Sequence, residues 1–138
     1  MTPSSGSGSA QTFTFTFGDT RGFADLGVVN ILLNSSLDGR TACYLAYARS
    51  INVLYLVNDG GTALLPGLVM NGSGSTGNSQ CTVNGVGSLI TGSGNTLTVT
   101  LNMTFGSTFT GNRIFYVAAR DVLDANNTDW RTLGSWTI

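Results

Sequence analysis

The sequence predicts an all-β domain, an antiparallel sandwich or barrel of about eight or nine strands. Three observations support this prediction. Almost everywhere that a hydrophobic period can be read, it is two residues and not the 3.6 residues of a helix. Clusters of Gly, Asn and Asp separate the apolar segments at short intervals, as turns do. At 138 residues the chain fits one domain with a single sizeable core.

The clearest strands are segments 13–17 and 96–105. In the first, Phe alternates with Thr. In the second, apolar residues from Leu97 to Phe105 alternate with Thr and Asn. Such patterns are typical of antiparallel strands with one face in the core and the other in water.

The remaining predicted strands follow in chain order at 26–34, 41–49, 51–59, 64–70, 79–87, 112–120 and 131–138. Two of them, 41–49 and 51–59, are apolar at consecutive positions. This favours central strands that are covered on both faces, or an outer face that meets a neighbouring domain. Pro66 cannot donate a ladder hydrogen bond, so it indicates an edge strand or a bulge in 64–70.

Residues 1–11 are rich in Ser and Gly and are predicted to be a flexible lead-in, followed by a single domain over residues 12–138. The first residues lack the basic and apolar regions of a signal peptide. No apolar run approaches the roughly 20 residues that cross a bilayer. We therefore expect no membrane insertion, and we expect the domain to belong to a longer protein.

The composition excludes several classes of chemistry. Only 9% of residues are charged, every acid is Asp and every base is Arg, so His, Lys and Glu are absent. Without His there is no Ser-His-Asp triad and no imidazole metal ligand. Paired Asp residues could still perform general acid–base catalysis, as in glycosidases. A net charge of −1 offers no basic surface for nucleic acid. The sequence thus predicts a protein that is not an enzyme.

The two cysteines, Cys43 and Cys81, both lie in predicted strands. One interpretation is a pair of buried thiols in a cytosolic domain. The favoured interpretation is one disulfide, which would stabilise the fold by about 3–4 kcal/mol through the unfolded chain. Disulfides persist in oxidising compartments, so this interpretation predicts an exported protein that is extracellular or on the cell surface.

The segment IFYVAARDVLDANNTDWRTLGSWTI, residues 114–138, resembles the closing strands of bacterial immunoglobulin-like (Ig-like) repeats. In those repeats a Tyr-x-Ala-x-Asp strand end precedes an Asn-rich turn and a last strand with Trp. Segments 3–34 and 38–83 are similar to the rest of an uncharacterised repeat of large secreted or surface proteins. The resemblance implies an extracellular Ig-like β-sandwich, often one of several in tandem, with Cys43 paired to Cys81 and no activity. One departure is Asp19-Thr20-Arg21-Gly22, where relatives commonly have Asp-Pro-Asn-Gly.

The acidic segment near the C-terminal end suggests a cation site. Asp121, Asp124 and Asp129 supply carboxylate oxygens, the ligands that Ca²⁺ prefers. Asp19 or Asp25 could add to them. The spacing does not match the EF-hand pattern, and Asp and Asn also favour ordinary solvated turns. The alternatives are therefore a Ca²⁺ site and a turn without a cofactor.

Two tryptophans suggest a second kind of site. Exposed aromatic rings stack on sugars while neighbouring polar groups bind their hydroxyls. Trp130, Trp136 and Arg131 are the candidate ligand-binding residues, and Tyr44, Tyr47 and Tyr55 could extend the platform. The alternative is that a Trp near the last strand fills the core.

These observations lead to one functional prediction and two alternatives. The prediction is a non-catalytic structural or adhesive module whose partners are neighbouring domains or a surface glycan or protein. The first alternative is a carbohydrate-binding module. The second is a filament subunit that self-associates by adding a strand such as residues 13–17 to a neighbour's sheet.

Overall fold

The computed structural model describes all 138 residues, and its secondary structure is almost entirely β. Ten strands follow in chain order, with 3₁₀ turns at Phe23–Asp25 and Arg49–Ile51: β1 (Ala10–Gly18), β2 (Leu26–Asn34), β3 (Cys43–Ala48), β4 (Val53–Leu56), β5 (Leu68–Val69), β6 (Ser75–Gly77), β7 (Cys81–Ser93), β8 (Thr96–Phe105), β9 (Asn112–Asp121) and β10 (Arg131–Thr137). No helix is long and apolar enough to cross a membrane.

The strands form two antiparallel sheets. One has four strands in the order β1-β8-β7-β6, and the other has six in the order β10-β9-β2-β3-β4-β5. The prediction of an all-β antiparallel sandwich is thereby confirmed. The connectivity differs from that of a constant-type immunoglobulin domain, because β2 and β3 are neighbours in one sheet. In a constant-type immunoglobulin domain the second and third strands lie in opposite sheets, so the likeness is one of sandwich architecture.

The core lies between the sheets and consists of the alternate residues that the pattern predicted. The apolar positions of β8 are all buried, from Leu97 to Phe105. Aromatic rings fill one part of the core. The Phe13 ring centroid lies 4.8 Å from that of Phe115 and 5.1 Å from that of Trp136, in tilted and edge-to-face arrangements that suit aromatic quadrupoles.

A disulfide between Cys43 and Cys81 joins the two sheets. Cys43 begins β3 and Cys81 begins β7, and their Cα atoms lie 5.6 Å apart, within the range that disulfides require. Both residues are buried. The predicted pairing is confirmed, and it fastens the six-stranded sheet to the four-stranded sheet through the core.

The strand boundaries differ from the prediction mainly around β5, β6 and β7. The predicted strand 64–70 is reduced to Leu68–Val69, and β6 is a further strand between the predicted strands 64–70 and 79–87. The predicted strand 79–87 continues to Ser93 because a bulge absorbs its glycines. The register with β8 shifts between Asn84 and Leu89, and the Ser88 hydroxyl donates to the Asn84 carbonyl across the gap.

Residues 1–11 lie against the sandwich, although they were predicted to be a flexible lead-in. Thr2 pairs with Thr14 of β1, Ser7 pairs with Thr137 of β10, and β1 already begins at Ala10. The Phe-Thr strand proposed for exchange with a neighbour pairs with β8 along its whole length. Its apolar side chains are buried in the chain's own core.

Candidate functional site

The outer face of the six-stranded sheet, which points away from the core, has a floor of small side chains. Asn30 of β2 lies directly opposite Ala46 of β3 and Ala118 of β9. One step along the sheet, Val28 lies opposite Ala48. These side chains alternate with core residues, so they project outward. All of them are half-buried. The floor is therefore lower than its surroundings.

Tyrosines surround this floor. Tyr44 and Tyr116 are the cross-strand neighbours of Leu32, which also faces outward. Leu32 is nevertheless only 2% exposed, because bulky rings flank it on both sides. Tyr55 lies opposite Ala46 on the other side of the floor. The outer face is thus apolar and aromatic, in agreement with the consecutive apolar positions in 41–49 and 51–59.

Two depressions on this face share Asn30, Tyr44 and Arg120, and together we call them the outer-face groove. One, of about 250 Å³, extends to Trp130 in the β9–β10 loop. The other, of about 410 Å³, extends to the segment 61–64 between β4 and β5. A ligand lying across the sheet would therefore contact three strands and two loops.

Trp130 forms the aromatic end of the groove. Its ring centroid lies 5.7 Å from that of Tyr44, with the planes at 69°. Trp130 is half-buried, so part of the indole faces solvent. An edge-to-face pair of this kind holds both rings in place while one ring face stays available.

The loop that carries Trp130 is fixed by side-chain hydrogen bonds. Asp121 accepts hydrogen bonds from the backbone N–H of Ala125, at 2.8 Å, and from Asn126 Nδ2, at 2.9 Å. The hydroxyl of Thr128 accepts a hydrogen bond of 3.0 Å from the backbone N–H of Ala119. The hydrogen bonds to Asp121 hold the pKa of its carboxyl below the usual value, chiefly through the Asn126 side chain and then through the Ala125 N–H. These hydrogen bonds order the loop and so fix the position of the Trp130 indole.

Arg120 supplies the positive charge of the groove. Its side chain is exposed and lines both depressions. The only ion pair of the chain joins Arg40 to Asp38, with 2.8 Å between nitrogen and oxygen, so Arg120 has no carboxylate partner. Asp124 and Asp129 lie at the Trp130 end of the groove. The groove thus offers hydrogen-bond donors and acceptors with little net charge.

The candidate ligand-binding residues from the sequence separate into different environments. Trp130 lines the groove, as proposed. Trp136 does not line the groove as proposed, because it is only 4% exposed and belongs to the core. Its indole N–H donates to the carbonyl of Gly8 at 2.9 Å. Arg131 is exposed and donates to the Thr128 carbonyl at 3.3 Å, outside the groove. Tyr47 is also buried, and its hydroxyl donates to Asn52.

The candidate Ca²⁺ ligands do not converge. Asp121 is buried at the base of the loop, whereas Asp124 and Asp129 are exposed and lie at the Trp130 end of the groove. No group of three or more His, Cys, Asp or Glu side chains is arranged to hold a metal ion. Of the three, Asp121 has a structural role that its hydrogen bonds show, and Ca²⁺ binding by these residues stays a prediction.

Asp121 instead shares a depression of about 420 Å³ at one end of the sandwich with Asp19, Asp25 and Arg21. Burial, followed by the nearby negative charge of Asp19, raises the pKa of Asp25. Asp121 is held by its own loop, as described above. The depression thus brings these three carboxylates together with two arginines, Arg21 and Arg120, and both Asp121 oxygens already accept hydrogen bonds from the loop.

Asn30 and Arg120 were not singled out from the sequence. Asn30 interrupts the apolar run 26–34, and a polar residue at the centre of such a strand is a usable signal of an outward-facing site. Arg120 had no such signal, because its relation to Tyr44 depends on β2 lying between β3 and β9.

Comparisons with known proteins found no match: no protein-family model, no curated protein and no solved structure is significantly similar to this chain. The resemblance to bacterial Ig-like repeats therefore stays a prediction, and the geometry of the chain itself carries the functional argument.

Proposed function

We propose that this chain is a non-catalytic, extracellular structural or adhesive module of a larger secreted or surface protein. The disulfide between Cys43 and Cys81 indicates an oxidising environment. The surface is solvated by hydroxyls and amides, since only 9% of residues are charged. A stapled sandwich with ordered loops suits a rigid spacer that presents a surface to a partner.

The non-catalytic part of the proposal follows from the side chains at hand. The chain has no His, Lys or Glu, so a catalytic site would depend on Asp, Arg, Tyr and hydroxyl groups. The carboxylates that do cluster are Asp19, Asp25 and Asp121. Asp121 accepts hydrogen bonds from the loop that it anchors, which supports a structural role for this cluster.

The adhesive surface that we propose is the outer-face groove, and the ligand class that it fits best is a neutral glycan. The observation that carries this proposal is the edge-to-face pair of Tyr44 and Trp130 beside the floor residue Asn30. An exposed indole face stacks on the apolar face of a sugar ring, and amide and guanidinium groups bind its hydroxyls. Arg120 opposes Asp124 and Asp129, so an acidic sugar gains little attraction.

A glycan array that includes neutral and acidic polysaccharides tests this function. We expect retention of neutral glycans with dissociation constants on the order of 1 mM, and at least about tenfold weaker retention by Trp130→Ala, which corresponds to about 1.4 kcal/mol. Leu89→Ala is the matched control, because Leu89 is 61% exposed and lies on the four-stranded sheet. Equal binding by wild type and Trp130→Ala, or retention of no glycan, would refute the glycan proposal.

The apolar outer face also fits contact with a neighbouring domain of the parent protein. Such contact is the structural form of the proposed function and would cover the floor residues Ala46 and Ala48. A tandem protein that contains two copies tests it: we expect Tyr55→Ala to lower the unfolding temperature of the tandem protein more than that of the single domain. Equal shifts would rule out a domain contact on this face.

A further inference from the structure

Residues 1–9 form a strap along the side of the sandwich where β1 and β10 are the edge strands of their sheets. Thr2 exchanges two backbone hydrogen bonds with Thr14 of β1, each 2.8 Å long. Ser135 and Thr137 of β10 donate their backbone N–H groups to the strap at 3.1 and 3.0 Å. The strap therefore satisfies the hydrogen-bonding groups that an edge strand leaves unpaired.

The strap fits the edge of β10 only because it carries glycines there. A Cβ on Gly6 would overlap the indole of Trp136, and Gly6 has a φ of 152°, which favours glycine. Gly8 has a φ of 143°, and its carbonyl accepts the indole hydrogen bond of Trp136. On the other side, a Cβ on Gly134 would overlap the Ser4 carbonyl. The strap and the β10 edge around Gly134 and Trp136, which we call its seat, are thus sterically matched.

No side chain of the strap is fully buried, and Met1 packs half-buried against the core. Every residue from Met1 to Ser9 is exposed or half-buried, and the strap runs parallel to β10. Parallel pairing is slightly weaker than antiparallel pairing, and segments with few buried apolar contacts open locally at lower free energy than the whole domain. We therefore expect the strap to open at a lower free energy than the core strands of the sandwich.

Opening of the strap leaves two kinds of hydrogen-bond donor without a protein acceptor at the β10 edge. The free edge of β10 would present unpaired N–H groups, and the buried indole N–H of Trp136 would lose its acceptor. A replacement strand must place a glycine over the indole and a carbonyl beside its N–H. The segment shown to meet both conditions is residues 1–9 of this chain.

We propose that the strap exchanges between copies of this chain, so that residues 1–9 of one copy occupy the β10 edge of another. Exchange of an identical element repeats the contacts made within one copy, which makes such swapping energetically inexpensive. Exchange requires the chain to turn between Gly8, whose N–H donates to the Thr137 carbonyl of β10, and Ser9, whose carbonyl accepts from the N–H of Phe105 of β8. This proposal differs from exchange of residues 13–17, whose Phe side chains are locked in the core, and it does not depend on the outer-face groove.

Two full-length variants separate donor from acceptor. Gly6→Ala carries a strap that fits no seat, but its own seat is intact. Gly134→Ala has a blocked seat, but its strap is intact. We expect ¹⁵N-labelled Gly6→Ala to show a displaced indole N–H resonance for Trp136. Addition of unlabelled Gly134→Ala is expected to return that resonance to its wild-type position while the Trp130 indole resonance stays in place.

The control is an unlabelled chain that carries both substitutions, because it can neither donate nor accept a strap. Recovery of the Trp136 resonance with Gly134→Ala but not with the double variant supports exchange. The absence of recovery at the highest soluble concentration overturns it. If either variant does not fold, an otherwise wild-type chain decides the question. Unlabelled chains with a photoreactive group at the exposed position of Ser5 are mixed with ¹⁵N-labelled wild-type chains and irradiated. Cross-links to labelled β10 support exchange, and cross-links within one chain alone overturn it.

Discussion

The two outer faces of the sandwich are built from the same pleated geometry but differ in chemistry. The outer face of the four-stranded sheet carries threonines in cross-strand register, such as Thr14 opposite Thr100, whose hydroxyl oxygens lie 3.3 Å apart. The outer face of the six-stranded sheet carries alanines, tyrosines and an arginine without a carboxylate partner. Hydroxyls can bond to one another and to water, whereas part-exposed rings and a guanidinium without a carboxylate partner can contact a ligand. We propose that the first face is only solvated and that the second is the recognition face.

The largest expected effect is the difference in unfolding free energy between the Trp136→Ala and Trp130→Ala variants. Trp136→Ala removes a core side chain and is expected to lower the free energy of unfolding by about 3–5 kcal/mol. Trp130→Ala removes a half-buried ring at the rim and is expected to lower it by less than about 1 kcal/mol. Urea denaturation followed by circular dichroism measures both values. Similar losses for the two variants would show that Trp130 is a core residue and would remove the groove's aromatic end.

An intermediate effect concerns the loop that holds Trp130 on the recognition face. The folded-state pKa of Asp121 lies below its unfolded value of about 3.9. A lowered pKa contributes stability above the unfolded value, and this contribution is lost as the pH falls through the folded pKa. We therefore expect Asp121→Asn to be less stable than wild type at pH 6 and to approach it near pH 2. Thermal unfolding of both proteins across this range measures the difference.

Two other carboxylates, Asp59 and Asp25, also contribute to the pH dependence of stability, and Asp25 is not independent of Asp121, because the charge of Asp121 helps to raise the pKa of Asp25. Hydrogen bonds from Ser79 lower the pKa of Asp59, so Asp59 adds stability that is also lost in acid. The pKa of Asp25 is raised, so its contribution is present at low pH and is lost as the pH rises through its folded pKa. A stability difference between wild type and Asp121→Asn that does not change with pH would contradict the role given to Asp121.

The smallest effect is expected on the hydroxyl face. Thr14→Val combined with Thr100→Val replaces two facing hydroxyls with methyl groups of similar shape on strands that tolerate β-branched residues. The free energy of unfolding should change by less than about 0.5 kcal/mol, and glycan retention should be unchanged. Equilibrium denaturation and the glycan array measure the two quantities. A marked loss of glycan binding would move recognition to the four-stranded sheet.

The sequence predicted most of the fold because alternation reports directly which side of a strand is buried. The segment 96–105 has the boundaries of β8, and 26–34 has those of β2. Alternation failed at residues 85–88, where a bulge turns a glycine-rich run into the middle of a strand. It also could not show that residues 1–9 pair with β10, since their contacts are made by backbone groups, and the glycines that allow this approach also favour a flexible segment.

The candidate site was less predictable because it depends on strand order. Alternation alone could not distinguish Trp130 from Trp136, since Trp130 lies in the loop before β10 and the register of β10 shifts between Thr132 and Gly134. The cysteine pair was predictable because only two cysteines exist. Asn30, Tyr44 and Arg120 lie far apart in sequence and meet only because β2 separates β3 from β9.

The most direct test of the recognition face is an NMR titration of ¹⁵N-labelled wild-type protein with the neutral glycan that the array selects. We expect the Trp130 indole resonance and the backbone amides of Asn30 and Arg120 to shift, while those of Thr14 and Thr100 stay in place. Shifts confined to the threonine face, or no shifts on the six-stranded sheet at saturating glycan, would contradict the account.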